Sequence, residues 1–230
     1  MQTKKPDFKL VLNNDSATIY LYDVIGDGFF GGITAKMFAD ELNRAKAVKQ
    51  IDVRINSPGG SVFDGNTMHN LLKQHKAKVN VYVDGVAASI ASVIAMAGDE
   101  IEIAPNGMFM IHEPSGAEFG TADDHRKMAD LLDKVRGTLL DTYVSRSNAE
   151  PDAISDMIAA ETWLTAQESL DLGFADRIGQ EQAVAAYVNP AMFKYKHIPE
   201  ALTKAPVAKV EEPEVVSFES ALRKQIRTLK

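Results

Sequence analysis

The sequence predicts an α/β fold built on a mainly parallel sheet. Two short runs, around Ile51, Val53 and Ile55 and around Val79, Val81 and Val83, alternate apolar with other residues. That period of two marks a strand. Stretches with helical spacing follow each run, and Gly- or Pro-containing turns separate them. Strands alternating with helices imply parallel strands joined by crossover helices.

The elements follow in order. Thr18–Tyr22 reads as a strand. Thr34 then caps a helix that turns Met37, Phe38, Leu42 and Ala45 inward, because a threonine hydroxyl can satisfy a free amide of the first turn. After the strand at Ile51–Ile55, Asn56-Ser-Pro-Gly-Gly60 forms a turn, and a helix carrying Met68, Leu71 and Leu72 succeeds it. The strand at Val79–Val83 ends at Gly85, expected to turn the chain into a small-residue helix from about Ala88 to Ala97. Ile101–Ile103 and Met108–Ile111 are short strands, and helices over about 122–144 and 151–160 complete the unit.

Composition narrows the chemistry. The chain has 230 residues and no cysteine, which excludes disulfides, cysteine-ligated zinc, iron–sulfur clusters and a thiol nucleophile. A covalent enzyme with this composition must attack through oxygen or nitrogen. The net charge of −7 and the pI near 5.3 argue against a nucleic-acid partner. The longest nearly apolar run, Val86 to Gly98, is too short to span a bilayer. No apolar block follows the charged first residues, so no secretory signal is expected and a cytoplasmic location fits. Glycine vanishes after Gly179, while four of the nine prolines fall between Pro190 and Pro213. A compact domain over 1–187 and a tail over 188–230 are therefore expected. Within that tail Ser217 can cap a short helix with Phe218, Leu222, Ile226 and Leu229 on one stripe.

Three segments carry candidate chemistry. In Asn56-Ser-Pro-Gly-Gly60-Ser61 the paired glycines leave backbone amides unobstructed, so they can face an anion, although a double glycine is also an ordinary turn. In Gly85-Val-Ala-Ala-Ser89-Ile90 a hydroxyl enters the first turn of a helix beside free amides; Ser89 can equally be a plain helix-start residue. Of the five histidines, only His112 in Met108-Phe-Met-Ile-His112-Glu-Pro114 stands at a strand end; His69, His75 and His125 lie in polar surroundings expected to face solvent. His112 is thus the candidate base for Ser89, or else a satisfied strand-end histidine.

Together these segments resemble the Clp-type serine protease proteolytic subunit family in order, spacing and context. The resemblance covers roughly residues 16 to 182 and includes the closing stretch Trp163-Leu-Thr-Ala-Gln-Glu-Ser-Leu-Asp-Leu-Gly-Phe-Ala-Asp176. The stretch Gly26-Asp-Gly-Phe-Phe-Gly-Gly-Ile-Thr-Ala-Lys36 looks more like the bacteriophage branch, the Clp-related head maturation proteases. The resemblance implies a Clp/crotonase-like repeated ββα spiral with a mainly parallel sheet, followed here by an extended or helical tail.

It also implies roles. Ser89 becomes the nucleophile and His112 the general base. The acid of the triad falls at Glu161, where the housekeeping family carries Asp; Asp156 is the fallback. The backbone amides of Gly60 and Ile90 become the oxyanion hole. Substrate is expected as an added strand between Gly59, Gly60, Ser61 and Val62 on one side and Pro114, Ser115, Gly116 and Ala117 on the other. No metal or other cofactor is required, and the glycines of Gly26–Gly32 lack the lysine of an ATP-binding loop. Peptide or protein substrates and a homo-oligomeric ring, heptameric or tetradecameric, are implied. The ring would meet along the helix at 122–144, where Met128, Leu131, Leu132, Val135, Leu139 and Leu140 form a broad apolar face that suits either an interface or, for any one of them, the chain's own core. Capsid or scaffold proteins and an ATP-driven unfoldase are further conceivable partners, and the phage reading would extend the location to a procapsid. The rival readings are a crotonase-type acyl-CoA enzyme and an inactive scaffold component.

Overall fold

The computed structural model describes residues 6–27, 31–180 and 186–204. The tail helix expected after Ser217 lies outside the described residues. An antiparallel hairpin, β1 (Phe8–Asn13) and β2 (Ser16–Leu21), opens the chain through a turn with Asn14 at φ 42°. Then come α1 (Ala35–Arg44), β3 (Gln50–Ser57), α2 (Val62–Gln74), β4 (Lys78–Ala88), α3 (Ile90–Ala95), β5 (Glu100–Ile103) and β6 (Met108–Ile111). The long α4 (Ala122–Val144), α5 (Pro151–Ala159), β7 (Thr162–Thr165), α6 (Ala166–Asp171) and β8 (Arg177–Ile178) follow, and Glu200–Leu202 form one 3₁₀ turn.

The sheet runs β1-β2-β3-β4-β5-β8, and every pair beyond the β1–β2 hairpin is parallel. A second branch leaves from β4, which pairs with β6 in parallel, and β6 pairs with β7 antiparallel. β4 can serve both branches because it is long: Asn80–Val83 face β5, whereas Val86–Ala88 face β6. The expected α/β class with a mainly parallel sheet is thus the observed one.

The alternation read from the sequence is the burial pattern. Ile51, Val53 and Ile55 are buried while Asp52 and Arg54 are partly exposed. Thr34 caps α1 by accepting from the Met37 amide, and Phe38 and Leu42 enter the core. Every residue of α3 is buried; its alanines and Ser92 leave room for the sheet on one side and α2 on the other.

Three readings need correction. Gly85 does not turn the chain: β4 continues to Ala88. The glycine is there for close approach, since a Cβ at 85 would lie 2.7 Å from Asn56 Oδ1 and 3.1 Å from the Ala186 Cβ. The helix after it begins at Ile90, which leaves Ser89 at its cap and not in its first turn. His125 is exposed, but His69 and His75 are half-buried. The described part of the tail, 188–204, is seated on the rest of the chain. Val188 and Leu202 are buried with Val86, Ala88 and Met110, and Trp163, Phe193, Tyr195 and Ile198 pack around them in a cluster separate from the main core.

Candidate active site

The end of β4 sets the geometry. Between the last strand residue, Ala88, and the first helical one, Ile90, the chain must reverse within a single residue. Ser89 accordingly adopts φ 55° and ψ −129°, a conformation that costs a residue with a Cβ about 1–3 kcal/mol and persists only where its surroundings hold it. They do so here. The Ser89 amide donates to Met110 O at 2.9 Å, and the Ser92 amide donates to Ser89 O at 2.9 Å. The Ser92 hydroxyl lies 2.5 Å from Ser89 O and 2.8 Å from the Tyr143 hydroxyl. Tyr143 is buried on α4, which keeps its phenol protonated far above the usual range and suited to hydrogen bonding.

Strand register delivers the histidine. Ala88 is paired with Met110 across β4 and β6, so His112, just past the end of β6, emerges beside Ser89. Its Nε2 lies 2.7 Å from Ser89 Oγ. Arg136 pins the segment that follows, bonding Glu113 at 2.8 Å and the Ser155 hydroxyl at 2.8 Å. Burial holds the His112 pKa below its ordinary value, opposed by the negative charges of Glu161 and Glu113. A neutral imidazole whose Nε2 faces a hydroxyl can accept that proton.

The paired glycines complete the arrangement. Gly59 has φ +95° and Gly60 φ +146°. A Cβ on Gly59 would stand 2.7 Å from both Ala88 O and Ser89 Cβ, and one on Gly60 would stand 2.1 Å from Ile25 O. Only glycine lets this loop press against the serine. Ile25 donates to Gly59 O and accepts from the Ser61 amide, which skips the N–H of Gly60. Among the described residues neither the Gly60 nor the Ile90 amide has a hydrogen-bond acceptor. Two unengaged donors beside a serine–histidine pair can stabilise an oxyanion.

A cavity of about 460 Å³ opens over these groups. Of the residues expected to bind substrate, Gly60, Val62, Pro114 and Ser115 line it. Gly59, Ser61 and Gly116 do not: Gly59 lies beneath the serine, Ser61 caps α2 by accepting from the Asp64 amide, and Gly116 faces Met128. Glu161 lines the cavity with φ 52° and is almost wholly buried, whereas Asp156 is exposed on α5 and takes no part in the lining. The Glu161 carboxylate acts on His112 through its charge. Its hydrogen bonds, however, go elsewhere. The backbone amides of Lys196 and His197 donate to it at 2.7 and 2.6 Å, and Trp163 Nε1 approaches at 3.4 Å. No hydrogen bond joins Glu161 to His112 among the described residues.

The sequence missed Glu113, Ile158 and Ala159 in the cavity lining, and above all the residues of the tail. Met192, Phe193, Lys194, Tyr195 and Lys196 form one wall of the cavity, and the Tyr195 ring stands edge-on to His112 at 5.0 Å between centroids. Their signal was available: Phe193 and Tyr195 are large aromatics in a stretch otherwise read as linker. Among the described residues no group of three or more His, Asp or Glu side chains is arranged to hold a metal, and no helix is long and apolar enough to cross a membrane.

Comparison with known proteins gives the family and the fold. A family model described as Clp protease matches residues 7–182. The ATP-dependent Clp protease proteolytic subunit 1 of Protochlamydia amoebophila (strain UWE25) is 33% identical over 168 residues, which cover 71% of this chain and 81% of that protein. Among solved structures, a point mutant of ClpP1 from Listeria monocytogenes superposes with a TM-score of 0.63 at 24% identity, covering 71% of this chain and 91% of the other.

Proposed function

This chain belongs to the Clp protease family, and we propose that it is a serine endopeptidase acting through Ser89, His112 and Glu161. The observation that carries the reading is the 2.7 Å contact between Ser89 Oγ and His112 Nε2, set beside two unengaged backbone donors. In the first step Ser89 Oγ attacks the scissile carbonyl carbon while its proton passes to His112 Nε2. The carbonyl oxygen gains the electron pair and is held by the Gly60 and Ile90 amides, each worth about 2.7–4 kcal/mol to the transition state. Collapse expels the amine, which takes the proton from His112 and leaves an ester on Ser89. Water then attacks that ester by the same route, His112 again accepting and returning the proton, and the carboxylic acid departs. Glu161 supports the imidazolium by charge. A crotonase-type acyl-CoA enzyme would have no use for this serine–histidine pair.

The finer reading concerns the biological setting. The stretch from Gly26 to Lys36 supports a role in phage head maturation, with capsid or scaffold proteins as substrates, in the host cytoplasm or a procapsid. The catalytic unit spans 1–187 and carries the tail 188–230. A heptameric or tetradecameric ring, closed through α4, is supported by exposed apolar groups at and before that helix, Leu131 at 44% and Phe119 at 95% exposure. An ATP-driven unfoldase is not needed for substrates already unfolded.

A fluorophosphonate probe tests the chemistry. The unaltered chain should be labelled, and Ser89→Ala and His112→Ala should not. Absence of label after prolonged exposure, in the unaltered chain and in every variant that keeps Ser89 and His112, would overturn the peptidase reading. Co-expression with phage capsid and scaffold proteins tests the setting, the expected result being their cleavage only when Ser89 is present.

A further inference from the structure

The tail does more at the site than line it. Val188 donates its amide to Leu202 O at 2.8 Å, closing the segment between them into a loop. Its two ends are buried in the small cluster formed with Val86, Ala88 and Met110, apart from the main core. The middle of the loop reaches three parts of the catalytic machinery at once. The Tyr195 hydroxyl donates to Pro58 O at 2.7 Å, on the residue that precedes the paired glycines. The Tyr195 ring covers one edge of His112 and is itself braced by Phe193, stacked at 5.5 Å, and Trp163, edge-on at 6.0 Å. Lys196 and His197 occupy both oxygens of Glu161 with their amides.

We propose that the loop Val188–Leu202 is an inhibitory strap that closes this site in cis, and that the active form arises when the strap is displaced. This inference rests on the peptidase reading above. The geometry favours inhibition over support for two reasons. Tyr195 bridges the two sides of the site between which substrate is expected, its hydroxyl bonded to Pro58 O beside the paired glycines and its ring standing edge-on to His112 at 5.0 Å. The Glu161 oxygens, meanwhile, are engaged by strap amides and make no hydrogen bond to the histidine they would have to orient. The attachment also suits a reversible closure. The strap's apolar anchor is a satellite cluster, so it can detach while the main core stays intact.

Three full-length variants test this against the unaltered chain, with the rate of fluorophosphonate labelling at Ser89 as readout and thermal unfolding as the control for folding. Tyr195→Ala removes the ring and the bond to Pro58, Tyr195→Phe removes only the hydroxyl, and Leu202→Asp unseats the far anchor without touching the site. Loss of one aromatic contact and one hydrogen bond should speed labelling by about tenfold or more in Tyr195→Ala. Leu202→Asp should speed it comparably, and Tyr195→Phe by less. A strap that instead held the machinery in shape would make all three slower, and unchanged or slower labelling in both Tyr195→Ala and Leu202→Asp overturns the proposal. The two readings fail separately. If Ser89→Ala still takes the label, or no version of the chain does, the peptidase reading is wrong; if the unaltered chain is labelled at Ser89 but neither variant is faster, only the strap is wrong.

Discussion

Replacing Gly65 by alanine should damage catalysis from a helix that holds no catalytic residue. Gly65 lies in the first turn of α2, and its amide donates to Ser61 O at 3.0 Å. Its backbone is not in the left-handed region, so on helix propensity alone alanine would be better by about 1 kcal/mol. Packing opposes this. A Cβ at 65 would stand 2.2 Å from Ile90 Cγ1, where ordinary contact begins at 3.4 Å. Ile90 would have to withdraw by roughly 1 Å, yet it is 2% exposed and surrounded by core. Overpacking of this kind costs about 1–3 kcal/mol, so the net change should be a loss near 1 kcal/mol, or roughly 2–4 °C in Tm for a chain of this size. The effect on rate should be larger. Ile90 carries one of the two proposed oxyanion donors, and a displacement of about 1 Å in such a group can cost on the order of 10²-fold. Peptide hydrolysis and thermal unfolding measured together should show kcat/KM falling far more than stability. Adding Ile90→Ala removes the overlapping atom and should restore much of the lost rate. A Gly65→Ala protein with raised Tm and unchanged kcat/KM would refute the claim that this glycine sets the position of Ile90.

Two further outcomes bear on the triad. Glu161→Gln should lower kcat/KM by about 10²–10⁴, since the carboxylate is the charge that supports the imidazolium, whereas Asp156→Ala, out on the exposed face of α5, should change it less than about threefold; a ranking in the opposite order would reassign the acid. In a pH series, activity should fall with unit slope on the acid side through a His112 pKa below 6.5, because only the neutral ring accepts the serine proton and burial favours that form. Glu161→Gln should move that limb to still lower pH, as it removes a charge that favours the protonated ring; a shift upward would contradict the assigned electrostatics.

Much of this molecule was legible before any coordinate. Period-two alternation at Ile51–Ile55 and Val79–Val83 named the central strands, since a residue's side of a sheet is settled by its neighbours in sequence. The capping threonine at 34 and the inward face of α1 were readable for the same reason. Ser89, His112 and the paired glycines stood out because strand ends and glycine loops leave local marks, and the missing cysteine pointed to oxygen or nitrogen as nucleophile. Strands β1, β7 and β8 and helix α6 were not found; β7, β8 and α6 are brief, and pairing with β2, β6 and β5 is what makes β1, β7 and β8 strands.

The class of fold and the types of residue available for chemistry follow from residue order alone. Tertiary structure decided which of them meet. The register of β4 against β6 brings His112 to Ser89 across 23 positions of sequence, and Ser92, Tyr143 and Met110 hold a strained serine that its own neighbours would not favour. Gly85 looked like a turn because glycine permits both positive φ and close approach, and only the Asn56 and Ala186 atoms beside it say which was needed. The tail shows the same limit most fully. Phe193, Tyr195, Lys196 and His197 sit beside prolines in a stretch with no period, and their place against Pro58, His112 and Glu161 comes from contacts between residues far apart in the chain. Such contacts depend on shape and burial, which no local pattern encodes.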